Sequence, residues 1–355
     1  MTMAAGAGLA TVLTACGGAG ESRYLQAARA LRAPLRLDGG LAECARYATL
    51  AANGHNTQPW RFSLSDRAAT ILPDPTRRTQ VVDPDDHHLW ASLGCASENF
   101  LLAARALGLH GDARFDPADD GRVALAFADG VPETGDMFHA IPARQCTRSD
   151  YDRRPVPAAD IASLEEAARI DGVRVLFLLD QARVETVLEQ VIAGNTAQMG
   201  DAAFIRELTA WLRFNESQAL ETNDGLFSAA SGNPNLPGWL ARLLFPFVFT
   251  TRGENDKYAG QIRSSAGVAV FVSERDDREH WVKAGRSFQR FALKATALGI
   301  AHAFVNQPVE VAALREEFAT WLGLSEGERP DFIVRFGYAP PLPMSLRRPV
   351  EEVMV

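Results

Sequence analysis

Two stretches, Gly94–Gly108 (GCASENFLLAARALG) and Gly285–Gly299 (GRSFQRFALKATALG), decide how this chain is read. Each spans fifteen positions, they stand 191 residues apart, and they coincide at Gly, Phe, Leu, Ala, Ala, Leu and Gly. In the first copy Leu93, Phe100, Ala104 and Leu107 recur at helical spacing. Each copy ends in Gly, the residue that most easily takes the left-handed cap conformation. An apolar residue follows directly, Leu109 or Ile300. Helices rich in Ala and Leu share a restricted alphabet and can match without kinship. The alternative is that the chain holds two copies of one fold.

The flanking sequence is compatible with two copies. Arg61 to Leu64 and Thr70 to Leu72 read as short strands. Val173 to Leu179, Val268 to Val272 and Phe332 to Phe336 are apolar, β-branched runs suited to buried strands. Helical patterns separate them over Ala158 to Ala168, Ala182 to Ile192, Trp281 to Leu298 and Val309 to Leu322. Helices interspersed with few strands indicate an α+β or a mixed α/β fold, of which α+β is the expectation. Glu133 to Ala143 is the expected junction, giving one half over 17–140 and another over 141–355. Residues 211–265, rich in Asn, Gly and Pro yet carrying Phe214, Trp239, Phe245 and Tyr258, read as a long aromatic loop, either a lid or a helical excursion packed outside.

Composition narrows the function. Across 355 residues, 47% are hydrophobic and 23% charged, which is ordinary for a soluble protein with a large core. A net charge of −8 argues against nucleic-acid binding, which needs a basic face. Cys16, Cys44, Cys95 and Cys146 form no C-x-x-C pair. Residues 1–16 are small and apolar, too short to span a membrane, and lack a basic n-region. Leu13-Thr14-Ala15-Cys16 nevertheless resembles a bacterial lipobox. On that reading the chain is exported and lipid-anchored through Cys16; otherwise 1–16 is an Ala/Gly-rich tail and the chain is cytoplasmic.

The densest local signal is Asn53–Phe62, NGHNTQPWRF. Small residues let a backbone approach a flat ring, and Asn and Gln amides offer both donors and acceptors. By composition alone this is equally a polar loop capped by a core Trp. Asp83-Pro84-Asp85-Asp86-His87-His88 reads as a helix start, with acids at the positive end of its dipole, rather than as a metal cluster. No G-x-G-x-x-G follows a strand and no G-x-S-x-G is present.

The decapeptide resembles the H-N-T-Q-P-W segment of the nitroreductase superfamily, especially its Acg-like branch, in which two nitroreductase-like halves are fused into one pseudo-dimeric chain. Further similarities follow in order. Arg144-Gln145-Cys146-Thr147-Arg148 is similar to the family's R-x-[ST]-x-[RK]. Asn195 stands six residues before Asp201-Ala202, which resembles the D-A preceding a family strand. Gln198 falls where many members have Lys. Ala297-Leu298-Gly299-Ile300 resembles the end of the long dimer helix, and Arg347-Arg348-Pro349 a basic C-terminal segment.

The resemblance implies FMN as cofactor. Its ring would meet His55, Asn56, Gln58, Asn195 and Gln198; its phosphate would meet Arg144, Gln145, Cys146, Arg148 and Arg347. It implies a flavin oxidoreductase passing hydride from NAD(P)H to a nitroaromatic, quinone or similar acceptor, with no obligatory catalytic side chain and no metal. The N-T-Q-P-W loop occurs only in the first half and the arginine segments only in the second. One flavin per chain and a monomer are therefore expected. Cys146 in place of Ser or Thr, and Gln198 in place of Lys, depart from the pattern. The rival implication is a flavin-holding protein with little turnover, its flavin covered by the aromatic insertion.

Overall fold

A computed structural model describes residues 22–355, and the Cys16 segment lies outside them. The chain begins with α1 (Arg23–Leu31) and α2 (Gly40–Thr49). It continues through β1 (Trp60–Leu64), β2 (Ala68–Pro73), the long α3 (His87–Ala106), β3 (Leu109–Asp116) and β4 (Arg122–Asp129). The short α4 (Asp136–Ala140) leads to α5 (Ala158–Ala168), β5 (Val173–Leu178) and α6 (Gln181–Gly200). An excursion carries α7 (Ala202–Trp211), β6 (Leu212–Arg213), α8 (Glu216–Thr222), β7 (Leu226–Phe227), α9 (Gly238–Val248) and α10 (Thr251–Arg263). The chain returns through β8 (Gly267–Ser273), α11 (Arg278–Ala297), β9 (Ala301–Phe304), α12 (Gln307–Glu310), α13 (Ala312–Leu322) and β10 (Arg329–Gly337).

The two halves share one topology. The first sheet has the order β1-β2-β4-β3 and the second β5-β8-β10-β9. Every pairing in both is antiparallel, and in each the long helix joins the second strand to the third. α3 and α11 are twenty residues each and begin and end at the offset of the sequence repeat. Gly108 (φ 76°) and Gly299 (φ 70°) follow them in the left-handed region, where only glycine is unstrained.

The repeat's first glycines explain how the two helices meet. A Cβ on Gly94 would stand 2.0 Å from the Val282 carbonyl oxygen, and one on Gly285 would stand 1.9 Å from that of Ala91. Ala91 and Val282 are themselves equivalent positions of the repeat. The contact is thus reciprocal, as across a two-fold axis. The main core is shared: Phe62, Phe100 and Phe127 of the first half lie in one cluster with Phe271, Phe288, Phe291 and Phe336 of the second. A smaller core beneath β8 and β10 packs Val187, Val191, Ile262 and Phe318.

Two expectations are corrected, and over 211–265 the chain takes the helical form that was one of the two alternatives. Residues 211–265 are a largely helical excursion inserted between β5 and β8. Their Asn, Gly and Thr residues cap helices: Asn215 and Thr250 accept the first-turn amides of α8 and α10, and Asn223 (φ 53°) ends α8. Asp201-Ala202 precedes a helix, because the Asp201 carboxylate accepts the Ala203 amide and caps α7. The helix expected over Val309–Leu322 breaks at Val311, which separates α12 from α13. The C-terminal tail crosses to the other half, where Met354 bridges Phe62 and the Val355 amide donates to the Phe62 carbonyl at 2.9 Å.

Candidate functional site

The loop before β1 is wound tightly. His55 (φ 47°), Asn56 (φ 54°) and Gln58 (φ 55°) all lie in the left-handed region, which costs non-glycine residues of order 1–3 kcal/mol each. Surrounding hydrogen bonds hold it there. The Asn53 side chain accepts the Gln58 amide at 2.9 Å, and the Gly225 amide donates to the Asn56 carbonyl at 3.1 Å. Arg77 donates to the Thr57 carbonyl. The Gln58 side chain is fully buried and committed to backbone: it donates to the Asn223 carbonyl at 2.9 Å and accepts the Arg348 amide at 2.8 Å. It ties loop, excursion and tail together and does not line the cavities described below.

Beside this loop Arg32, Arg144, Arg148 and Arg347 line a small pocket with Asn56, Gln145, Cys146 and Ser345, and no carboxylate lines it. Each arginine comes from a different contact. Arg144 donates to the Leu50 carbonyl at 2.9 Å and leaves its buried Nε without a partner. Arg347 is carried in by the crossing tail and donates to the carbonyls of Thr49 and Ala51. Gln145 fixes that tail, accepting the Leu342 amide at 2.9 Å. Arg32 donates to the Ser345 carbonyl at 2.8 Å. Burial, with Arg144 adding repulsion, lowers the Arg32 pKa to about 10. Burial and then Arg32 and Arg144 lower that of Arg347. Buried like charges crowded together are costly unless an anion compensates them. The donor set and the orphaned Nε fit a phosphate.

A cavity of about 240 Å³ adjoins this pocket and shares Ala52, Asn53, Arg148, Leu226 and Phe304 with it. His55, Asn195 and Gln198 face it, the last two from the final turns of α6. His55 keeps Nδ1 unpartnered, and burial, then Arg148 and His88, depresses its pKa to about 4, so the ring is neutral near pH 7. Asn195 donates to Asn255 at 2.7 Å and Gln198 to Glu310 at 2.7 Å. The excursion contributes Leu226, Phe249, Lys257 and Tyr258 to the same walls.

Sequence reasoning missed Arg32, His88 and Glu310. Asp83 caps α3 by accepting the amides of His88 and Leu89 at 2.9 and 3.0 Å, which accounts for the Asp83–His88 run as a helix start. Ligand atoms of Asp83, His87 and His88 lie within 4.8 Å of one another, yet hydrogen bonds engage all three, His87 Nε2 meeting Asp331 at 2.8 Å. His88 Nδ1 stands 3.2 Å from Asp83, while its Nε2 lies at the cavity wall, 3.3 Å from Asn306 and 3.8 Å from Glu310. Burial opposes a charge on His88, but Asp83 and Glu310 outweigh it and raise the pKa. Burial likewise raises that of Glu310. Such a pair can hold or pass a proton at the cavity wall. Gln307-Pro308, echoing Gln58-Pro59 and two residues short of Glu310, was a readable signal, and His88 lay in the acid-histidine run that reads as a helix start; Arg32 had no signal.

Comparisons with known proteins bear on this geometry. The model of the Nitroreductase family matches residues 141–338. A Mycobacterium tuberculosis protein with a provisional NAD(P)H nitroreductase name is 28% identical over 320 residues, covering 86% of this chain and 88% of that one. A second from the same species, carrying the name acg, is 24% identical over 314 residues, covering 84% and 90%. Among solved structures, a nitroreductase with bound FMN from Bacteroides fragilis is 16% identical, covering 58% of this chain and 90% of that one, with a TM-score of 0.37. An FMN-dependent nitroreductase from Mycobacterium smegmatis in complex with NADPH is also 16% identical, covering 57% and 87%, with a TM-score of 0.38.

Proposed function

The chain belongs to the nitroreductase family, and from that premise we propose that it binds one FMN between its two halves and reduces a small oxidised acceptor with electrons from NAD(P)H. One observation carries the reading: an acid-free pocket of four arginines opens into a larger, partly apolar cavity edged by amides. FMN has that form, a dianionic phosphate joined to a flat ring with donors and acceptors along one edge. When bound, the flavin supplies two-electron chemistry that no side chain here can supply.

The residues do the rest. Arg32, Arg144, Arg148 and Arg347 hold the phosphate, arginine being suited to bidentate contacts with it. Asn195 and Gln198 present amides from one face of α6, and the strained His55–Gln58 loop approaches from the other half. His88, paired with Asp83, keeps a proton at the cavity wall for the acceptor. The fused halves act as an internal pseudo-dimer with the single site between them. A nitroaromatic or a quinone is the acceptor class that fits an apolar wall with a proton donor. We further propose, from Leu13-Thr14-Ala15-Cys16, that Cys16 is lipidated in an exported chain; labelled palmitate on the full-length protein tests this, and an unlabelled product ends it.

A second reading, flavin holding with little turnover, draws support from Phe249, Lys257 and Tyr258 of the excursion, which line the cavity. The visible spectrum of the purified protein, followed on anaerobic addition of NADPH, separates the two. A bound flavin that bleaches within seconds supports the enzyme; a flavin that stays oxidised supports holding; a protein that cannot take up FMN overturns both.

A further inference from the structure

The helix α9, with sequence GWLARLLFPFV, turns an apolar face to water. Trp239, Leu243 and Phe247 are 71, 60 and 78% exposed along one row of the helix. Leu244 and Val248 form a second row beside it at 37 and 71%. Elsewhere the large exposed apolar side chains are scattered singly, which is normal; five gathered on one helix mark an interaction site. Ala241 faces inward, and Phe245 packs on Phe214 and Phe249, at ring distances of 6.0 and 4.7 Å. The outward rows are therefore not displaced core.

We propose that α9 docks this protein on an anionic lipid bilayer, lying in the headgroup layer. Three observations select that occupant. The first is charge. From Gly225 to Gly253 the chain carries no carboxylate, and its charged residues are Arg242 and Arg252, on a protein of net charge −8. A helix with Trp, Leu and Phe on one side and arginine beside them matches the interfacial class. The second is size. An eleven-residue helix is about 16 Å long and about 10 Å across. Its face is far smaller than the roughly 800 Å² per partner of a stable protein interface, so a second copy of the chain fits it poorly.

The third is where the chain outside the described part joins it. Residues 1–21 enter at Ser22, the N-cap of α1. α1 packs on α8 through Tyr24, Ala28 and Ala219, and Arg23 and Gln26 stand beside Ser217 and Leu220. The start of α9 lies on the same α8: a Cβ on Gly238 would stand 2.6 Å from Gln218 Nε2. The six residues from Cys16 to Ser22 span at most about 20 Å. A lipid on Cys16 would thus reach the bilayer on which α9 rests. One acyl chain alone holds a protein only marginally, and a second signal makes the attachment stable. No helix among the described residues is long and apolar enough to cross a membrane, so docking is peripheral. The inward side of α9 leads through Phe249, stacked on Phe245, to the cavity wall, so the docked helix adjoins the site.

The test separates helix from lipid. The full chain bearing Cys16→Ser, which cannot be lipidated, is sedimented with vesicles of phosphatidylglycerol and phosphatidylethanolamine, and with vesicles of phosphatidylcholine. The expected result is partition onto the anionic vesicles that falls at least tenfold in a Cys16→Ser chain also bearing Trp239→Ser and Phe247→Ser. Both substituted side chains are exposed, so the fold is retained, and equal melting curves check this. No partition of the Cys16→Ser chain, or equal partition of both, overturns the proposal. Concentration-dependent dimers that the two substitutions dissociate also overturn it, assigning the face to a second copy.

Discussion

At the residue scale, guanidinium groups would hold the phosphate. Arg144 is 4% exposed and its Nε has no partner. On the flavin reading, Arg144→Ala weakens FMN binding by about 1.5–3 kcal/mol, the worth of buried hydrogen bonds to a charged group. Riboflavin, without the phosphate, is largely spared; equal losses for both ligands in a fluorescence titration would remove Arg144 from the phosphate site. His302 offers a test that needs no ligand. Its ring is buried between Phe288 and Phe291, neither nitrogen has a partner, and burial, then Arg144, lowers its pKa to about 3. In the unfolded chain it titrates near about 6.5. Its contribution to stability is therefore present above about 6.5 and lost as pH falls toward 3, at about 1.4 kcal/mol per unit from this ring. His302→Phe is expected to flatten the acid limb of stability in urea melts between pH 7 and 4.5; an unchanged limb would mean the ring is not held neutral. The arginines at 144, 148 and 347 were legible because they fall in ordered motifs. Arg32 was not, because it is the lone C-cap residue of α1, which meets the site only through tertiary packing.

At the element scale, the fit of α3 to α11 makes a direct prediction. A methyl at position 285 would stand 1.9 Å from backbone, where nothing flexible can yield. Gly285→Ala is expected to destabilise by about 1–3 kcal/mol, the range for overpacking; unchanged unfolding midpoints would contradict the close crossing. The repeat was legible because helix, cap and glycine recur at a fixed offset. The hairpin of β3 and β4 escaped notice: β3 is polar and half-exposed and gives little pattern, although β4 alternates, with Val123, Leu125 and Phe127 buried, and Asp119-Asp120-Gly121 announced the turn. In the excursion, breaker residues read as loop were helix caps, since the residues that end one helix also start the next. α10 proves to be part of the smaller core, through Ile262 and its contact with α6, while its Glu254, Lys257 and Tyr258 line the cavity; a cover that opens would have to be the segment before it, with Ser231, Asn233 and Phe249. Replacing residues 231–249, which include the cavity-lining Ser231, Asn233 and Phe249, by a short Gly/Ser linker is expected to speed NADPH-dependent bleaching while FMN stays bound, because a closed cover lowers apparent NADPH affinity by the open fraction. Stopped-flow absorbance reads this, and an unchanged rate would mean that this segment is not the gate.

At the scale of the molecule, the first half supplies the strained loop and the second supplies Asn195, Gln198 and Arg144, and the crossing tail adds Arg347. The halves share one aromatic core, so neither is a finished unit alone. The sequence motifs, single in each half, led to the expectation of one composite site; they were silent on which excursion residues line the cavity, because that depends on packing between segments far apart in the chain. The central claim is one flavin, held between the halves by the arginine pocket. Its most direct measurement is the flavin released on denaturing a weighed amount of protein reconstituted with FMN. One FMN per chain is expected, falling well below one in Arg144→Ala at limiting FMN. Two flavins per chain, or none, would contradict it.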